Sequence, residues 1–277
     1  PELIVTGEWM PITVFSFRDN KWINVTAEMG LDKTEGWWSA LTTDDLDGDG
    51  DLDLIAGNIG ENYKFRATIE KPFQVYARDF DSNGTNDVFL ARYLADATLV
   101  PIRGRECTSQ QMPSIAEKFP TFRAFANSDL NGILGDDMQK AIHKTAYQFS
   151  SALFINDNGK LTMQRLPVEA QLSVINSIVV QDFDKDGIKD LLLTGNKFDV
   201  EVETTPADGS PGVFLKGLGN LKFKSLKSVE SGLFVPYNVK DTKLVKSKTG
   251  WQLVVTSNND KLRTFTATKV PAGIASR

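Results

Sequence analysis

Three stretches of the chain set oxygen-bearing side chains at alternate positions around a glycine. They read Asp45-Leu-Asp47-Gly-Asp49-Gly-Asp51-Leu-Asp53, Asp79-Phe-Asp81-Ser-Asn83-Gly-Thr85-Asn-Asp87 and Asp182-Phe-Asp184-Lys-Asp186-Gly-Ile188-Lys-Asp190. Side-chain oxygens at positions 1, 3, 5 and 9, with a main-chain carbonyl at position 7, make the donor set by which one short loop wraps a hard ion such as Ca²⁺. Gly50, Gly84 and Gly187 stand where such a loop turns sharply. Carboxylates held this close repel one another strongly unless a divalent cation lies among them. The expected cofactor is therefore Ca²⁺, about three ions, which would move the formal charge from -5 to +1. The expected ligands are Asp45, Asp47, Asp49, Asp51 and Asp53, then Asp79, Asp81, Asn83, Thr85 and Asp87, then Asp182, Asp184, Asp186, Ile188 and Asp190. An EF-hand does not fit, because position 12 holds Ala56, Leu90 and Leu193 where that loop needs a bidentate Glu, and because the flanks alternate like strands. A metal-free polar turn is the plainer reading of any single copy, since Asp and Gly are ordinary turn residues; three copies on one template argue against it.

The elements that position these loops recur as well. Each loop joins two apolar strands: Ala40-Leu-Thr-Thr-Asp-Asp45 with Leu54-Ile-Ala-Gly-Asn58, Phe73-Gln-Val-Tyr-Ala-Arg-Asp79 with Val88-Phe-Leu-Ala-Arg92, and Ile178-Val-Val-Gln-Asp182 with Leu191-Leu-Leu-Thr-Gly-Asn196. A fourth copy, Val239 to Val245 with Gln252 to Asn258, lacks the acidic loop. Hairpins of a second kind lie between them, at Val14 to Thr26, Leu153 to Met163 and Val213 to Phe223, with Asp19-Asn20, Asn158-Gly159 and Gly219-Asn220 as turn residues that tolerate positive φ. Alternating the two kinds predicts four-stranded units of about 40 to 60 residues, the spacing of propeller blades. The expected fold is all-β: a β-propeller or partial propeller of about four to five blades, forming a single domain over residues 1–277. Its first blade is truncated at the N-terminus, where Leu3-Ile-Val-Thr-Gly-Glu-Trp9 resembles a lone second strand. One segment breaks the pattern. Ile115, Phe119, Phe122, Phe125, Leu130, Leu134, Met138, Ile142 and Ala146 fall at mostly three- and four-residue spacings, which predicts a helical insertion within a blade at 105–150.

Composition narrows the function. The 277 residues include 36 Asp+Glu against 31 Lys+Arg, a balance unsuited to a nucleic-acid binder. One cysteine, Cys107, forbids an internal disulfide framework, and a single His143 forbids multi-His chemistry. No apolar run has the roughly 18 residues of a membrane span, and no signal peptide is visible. The chain reads as an excised or processed part of a longer one. His143 beside Tyr147 suits packing better than catalysis, Ser150 and Ser151 have no second feature marking a nucleophile, and Gly217-Leu-Gly219 lacks the rest of a phosphate-binding loop. Trp9, Trp37, Trp38 and Trp251 suit wedges between blades, with sugar stacking as the sharper alternative.

With their strands, the loops at Ala40 to Asn58, Phe73 to Arg92 and Ile178 to Asn196 resemble FG-GAP or VCBS repeats. Gly36-Trp-Trp-Ser-Ala40, Leu54-Ile-Ala-Gly-Asn-Ile-Gly60, Gln111-Met-Pro113, Lys118-Phe-Pro120 and Leu172-Ser173 are similar to the end of large repeat proteins of the Bacteroidota type. The resemblance implies an integrin-α-like β-propeller, calcium on the loop between a blade's first strands, a secreted or cell-surface location (or the periplasm), and adhesion or recognition. The expected function is a non-enzymatic extracellular module that binds a protein or a glycan. Two alternatives stay open: a polysaccharide-active lyase or hydrolase, which an acidic pair in a pocket away from the loops would favour, and a purely structural portion of a larger secreted protein.

Overall fold

The computed structural model describes residues 2–201, 204–248 and 250–266, which are mostly β. The chain divides into two compact units: residues 1–32, 37–64 and 149–277 make the first, and residues 33–36 and 65–148 the second. In chain order the elements begin with β1 (Glu2–Val5), β2 (Glu8–Met10), β3 (Thr13–Arg18), β4 (Lys21–Asn24), β5 (Gly36–Trp37), β6 (Ala40–Asp44) and β7 (Asp53–Gly57). Next come β8 (Phe73–Arg78), β9 (Asp87–Tyr93), β10 (Leu99–Pro101), α1 (Arg105–Gln111), α2 (Ser114–Lys118), α3 (Phe122–Ala126), α4 (Leu130–Leu134), a 3-10 turn (Gly135–Lys140) and β11 (Ile142–Ala146). The chain continues with β12 (Ala152–Asp157), β13 (Lys160–Arg165), β14 (Ile175–Gln181), β15 (Asp190–Gly195), β16 (Val213–Gly217), β17 (Phe223–Leu226), α5 (Ser228–Ser231), β18 (Val239–Ser247), β19 (Gly250–Ser257) and β20 (Arg263–Thr266).

The first unit holds antiparallel sheets ordered β1-β3-β4, β13-β12-β7-β6, β14-β15-β16-β17 and β18-β19-β20. Asn158 and Gly159 both take positive φ in the β12–β13 turn, which lets two residues reverse the chain with the twist the strands require. Successive side chains of a strand point to opposite faces, and here both faces of the inner sheets are apolar. Leu54, Ala56, Ala152 and Phe154 pack toward Val14, Val25 and Trp38, whereas Ile55 and Leu153 pack the other way, toward Ile175, Leu191, Leu193, Val213 and Leu215. Leu192 in turn faces Val239, Leu253 and Val255. The sheets therefore stack in series, each core filled from two neighbours.

The second unit is one sheet, β10-β9-β8-β11, with a face covered by the helices. Met112, Ile115, Phe119, Phe125, Leu130, Ile133 and Leu134 pack against Tyr76, Phe89 and Ala91. Helical spacing held for the residues that reach this core, but it extended too far along the chain. Ile142 and Ala146 lie in β11, paired with Ala77 and Phe73 of β8, because an open strand edge outweighs a local periodic pattern. His143 accordingly sits on a strand.

Pairing of the hairpins departs from simple succession. The hairpin β14–β15 is completed by the next hairpin, β16–β17, but β6–β7 is completed by β12–β13, with residues 65–148 intervening. Two Gly-Asn pairs set close backbone approaches around residues 174 and 175, one from the next sheet (Gly57-Asn58) and one from the paired strand of the same sheet (Gly195-Asn196). A Cβ on Gly57 would lie 2.3 Å from the Ile175 carbonyl oxygen, and one on Gly195 would lie 1.7 Å from that of Val174. The Asn58 carbonyl accepts the Ile175 N–H at 3.1 Å, and the Asn196 N–H donates to the Val174 carbonyl at 3.0 Å. Residues 174 and 175 are thus clasped between two glycines. Substituting Gly195→Ala should destabilise the protein by about 1–3 kcal/mol through overpacking. Gly104→Ala, where the added Cβ has open space, should stay within about 0.5 kcal/mol in the same urea titration.

Candidate metal-binding loops

Loop 1 (residues 45–53) joins β6 to β7, loop 2 (79–87) joins β8 to β9, and loop 3 (182–190) joins β14 to β15. Their backbones repeat one another. Position 4 is left-handed in each, at Gly48 (φ 81°), Ser82 (φ 61°) and Lys185 (φ 65°), and so is position 6, at Gly50 (98°), Gly84 (87°) and Gly187 (87°). The first aspartate accepts the position-6 N–H in all three, at 3.1 Å (Asp45), 2.9 Å (Asp79) and 3.0 Å (Asp182). Position 5 accepts the N–H of position 7, with Asp49, Asn83 and Asp186 at 2.8, 2.8 and 2.9 Å. Position 3 accepts the N–H of position 5 at 3.2–3.3 Å. The acidic side chains thereby organise their own loop.

Position 9 behaves differently. Asp53, Asp87 and Asp190 are buried, and each accepts the N–H of position 2, from Leu46 (3.1 Å), Phe80 (3.0 Å) and Phe183 (3.0 Å). The second oxygens of Asp53 and Asp190 reach the neighbouring strand, accepting Asn156 N–H and Gly217 N–H at 2.9 Å. Burial pushes all three carboxyls above the ordinary carboxylate range, opposed by these hydrogen bonds and assisted by the other loop acids. The position-2 side chains pack into three different cores, Leu46, Phe80 and Phe183 each closing its loop onto the sheet beneath.

Carboxylate oxygens converge in each loop. One from each of Asp45, Asp47 and Asp49, of Asp79, Asp81 and Asp87, and of Asp182, Asp184 and Asp190 lie within 4.8 Å of one another. Hard oxygen donors at that spacing match the chemistry of a Ca²⁺ site, so the residues fit the ion. Not every expected ligand joins these groups. Asp53 lies outside the set gathered in loop 1, and the Asp51 carboxylate accepts the Asn158 N–H of the β12–β13 turn at 2.9 Å. At loop 3 a cation is already at hand: Lys216 of β16 donates to Asp184 and, at 3.1 Å, to Asp186. The Ile188 N–H first, then the Lys216 ammonium, hold the Asp186 carboxyl below its usual range. Lys216 is raised in return, chiefly by Asp184.

The other singled-out residues have structural partners. Ser150 Oγ donates to Glu61 Oε1, which Arg165 also engages, and buried Ser151 Oγ accepts the Asn58 N–H. Gln74 Oε1 accepts the Tyr76 hydroxyl at 2.6 Å and pairs with His143 Nε2 at 2.8 Å, while the Tyr76 and His143 rings stack at 4.4 Å. Trp38 is core, edge-on to Phe154; Trp9 and Trp37 pack edge-on at 5.2 Å, and Trp251 is exposed. A cleft of about 120 Å³ opens beside Trp37, lined also by Glu8, Ser39, Asn176, Lys197 and Lys240. Sequence reasoning missed those lysines, which stand in no motif. No helix among the described residues is long and apolar enough to cross a membrane.

Comparison with known proteins bears on loop 1. Residues 36–68 match the FG-GAP repeat. That span carries β6, loop 1 and β7, and the FG-GAP repeat suggests an integrin-like extracellular protein-interaction module. Loops 2 and 3 lie outside the FG-GAP match and repeat its loop by hydrogen-bond geometry. No curated protein matches the chain.

Asp190→Asn presents an amide where two backbone N–H groups need acceptors, so it should cost about 1–3 kcal/mol in denaturant unfolding. His143 is exposed on β11, but partial desolvation where its ring stacks on Tyr76 lowers its pKa from 6.5, so the folded protein binds that proton less readily than the unfolded chain. Its stability contribution is complete above pH 6.5 and declines as pH falls toward the folded pKa. With one histidine in the chain, a single imidazole NMR signal reports this titration, and its midpoint should lie below 6.5.

Proposed function

We propose that the chain is a calcium-stabilised, non-enzymatic recognition or adhesion module of an extracellular protein. The observation that carries this reading is the threefold repetition of one loop, in which converging carboxylates sit on backbone N–H groups at the end of a buried sheet. Asp45, Asp47 and Asp49, then Asp79, Asp81 and Asp87, then Asp182, Asp184 and Asp190 would hold the ions, with Asn83, Asp186 and the position-7 residues adjacent. Bound Ca²⁺ would offset the mutual repulsion of these acids and lock strand ends together, a structural role. Serial stacking of the sheets supports a propeller or partial propeller, and the FG-GAP match supports the extracellular setting. The likeness to VCBS repeats and to Bacteroidota-type proteins belongs to the same reading. The cleft beside Trp37 combines an aromatic wall with Lys197, Lys240 and the single carboxylate Glu8, a mixed polar lining that suits recognition of a polar group on a protein or glycan.

Thermal unfolding with excess Ca²⁺ and then with a chelator tests the metal half of this reading. The melting temperature should fall by several degrees on chelation and be restored by Ca²⁺ but poorly by Mg²⁺, which resists dehydration by such loops. An unchanged melt would overturn it.

A further inference from the structure

The three loops share a backbone but not a charge. Loop 1 carries five aspartates and no base, and loop 2 carries three and no base. In loop 3 four aspartates share the sequence with Lys185 and Lys189, a sum of -2, but the Lys189 ammonium turns away to Asp44 at 3.3 Å; Lys216 from β16 is the cation that contacts the loop's carboxylates. Lys216 is the decisive difference, because its position is matched in loop 1. There the Asn156 N–H ties β12 to Asp53, and the residue before it is Ile155; in loop 3 the Gly217 N–H ties β16 to Asp190, and the residue before it is Lys216. An apolar side chain beside one loop is replaced by an ammonium beside the other.

That ammonium is held in place. The Lys216 side chain is 20% exposed and contacts Asp184 and Asp186, positions 3 and 5 of the loop. Being tethered by its own strand, it stays at the loop at high effective concentration and does not diffuse away as a solution cation would. A divalent ion entering loop 3 must either displace it from Asp184 or lie beside it, and both weaken binding, since affinity in such sites follows ligand charge.

We propose that Lys216 acts as a resident cation that makes loop 3 the weakest and last-filled divalent-ion site of the chain. The inference rests on the reading that the loops bind Ca²⁺. Loops 1 and 2 then fill first, and loop 3 is the one whose occupancy follows ambient calcium.

The test is a Ca²⁺ titration of the full chain labelled with ¹⁵N-glycine, in which the assigned amide signals of Gly50, Gly84 and Gly187 each report their own loop. In the wild-type protein the Gly187 midpoint should lie at the highest Ca²⁺ concentration. Lys216→Ile, which copies loop 1, should lower that midpoint about tenfold, from the loss of one positive charge next to a dication. Lys216→Arg should leave it near the wild-type value, and neither variant should move Gly50 or Gly84. A Gly187 midpoint unchanged in folded Lys216→Ile would overturn the proposal while leaving calcium binding intact. So would a wild-type Gly187 that saturates with or before Gly50, a result that needs no variant. If no glycine signal moves at millimolar Ca²⁺, the calcium reading itself falls and takes this inference with it.

Discussion

The structure turns on a buried carboxylate at the ninth position of each acidic loop. A carboxylate inside a sheet is costly unless its oxygens are occupied, and Asp53 and Asp190 satisfy this by accepting one N–H from their own loop and one from the adjoining strand. One side chain therefore fixes the loop's curvature and the strand's register together. The remaining acids are then free to face outward, and their crowding follows from the frame beneath them. What makes the loops suitable for a cation is thus built by an interaction that does not require one.

The second constraint is steric. Sheets that stack in series must let one backbone approach another, and Gly57 permits it where any side chain would strike the carbonyl of Ile175 in the next sheet; Gly195 does the same for the Val174 carbonyl within its own sheet, at the irregular start of the β14–β15 pairing. The asparagine after each glycine adds direction to that contact. Asn58 Oδ1 accepts the N–H groups of Trp37 and Ile59, and Asn196 Nδ2 donates to the carbonyls of Ser210 and Tyr237. Buried amides of this kind are paired, so each glycine that allows a close backbone approach is followed by a side chain that fixes the surrounding loops.

Much of this was legible in the sequence because it is local. Loop spacing, the positive-φ turn at Asn158-Gly159 and the apolar strands flanking each loop are decided within a few residues, and all three acidic loops lie where their spacing put them. Apolar residues at position 2 of each loop, Leu46, Phe80 and Phe183, were a readable signal of a loop closed onto its sheet. Non-local choices were not readable. Nothing in Ala40 to Asn58 says that its sheet is finished by residues 152–165, and nothing in Ile142 to Ala146 says that the edge of β8 awaits it. Lys216 lies 32 positions from Asp184, so only the register of β16 brings the two together.

The discontinuous sheet has a consequence for biosynthesis. Asn58 and Ser151 meet across 93 positions of sequence, and at about 5–20 residues per second a ribosome needs roughly 5 to 20 s to cover that distance. During this interval β6 and β7 are already made, and the edge on which β12 will dock is bare. Residues 65–148 have meanwhile emerged with a core of their own. An unpaired apolar strand invites pairing with another nascent chain, and charge next to the edge is a common protection. Loop 1, with the densest negative charge in the molecule, adjoins that edge and would repel a second copy of itself until the proper partner arrives.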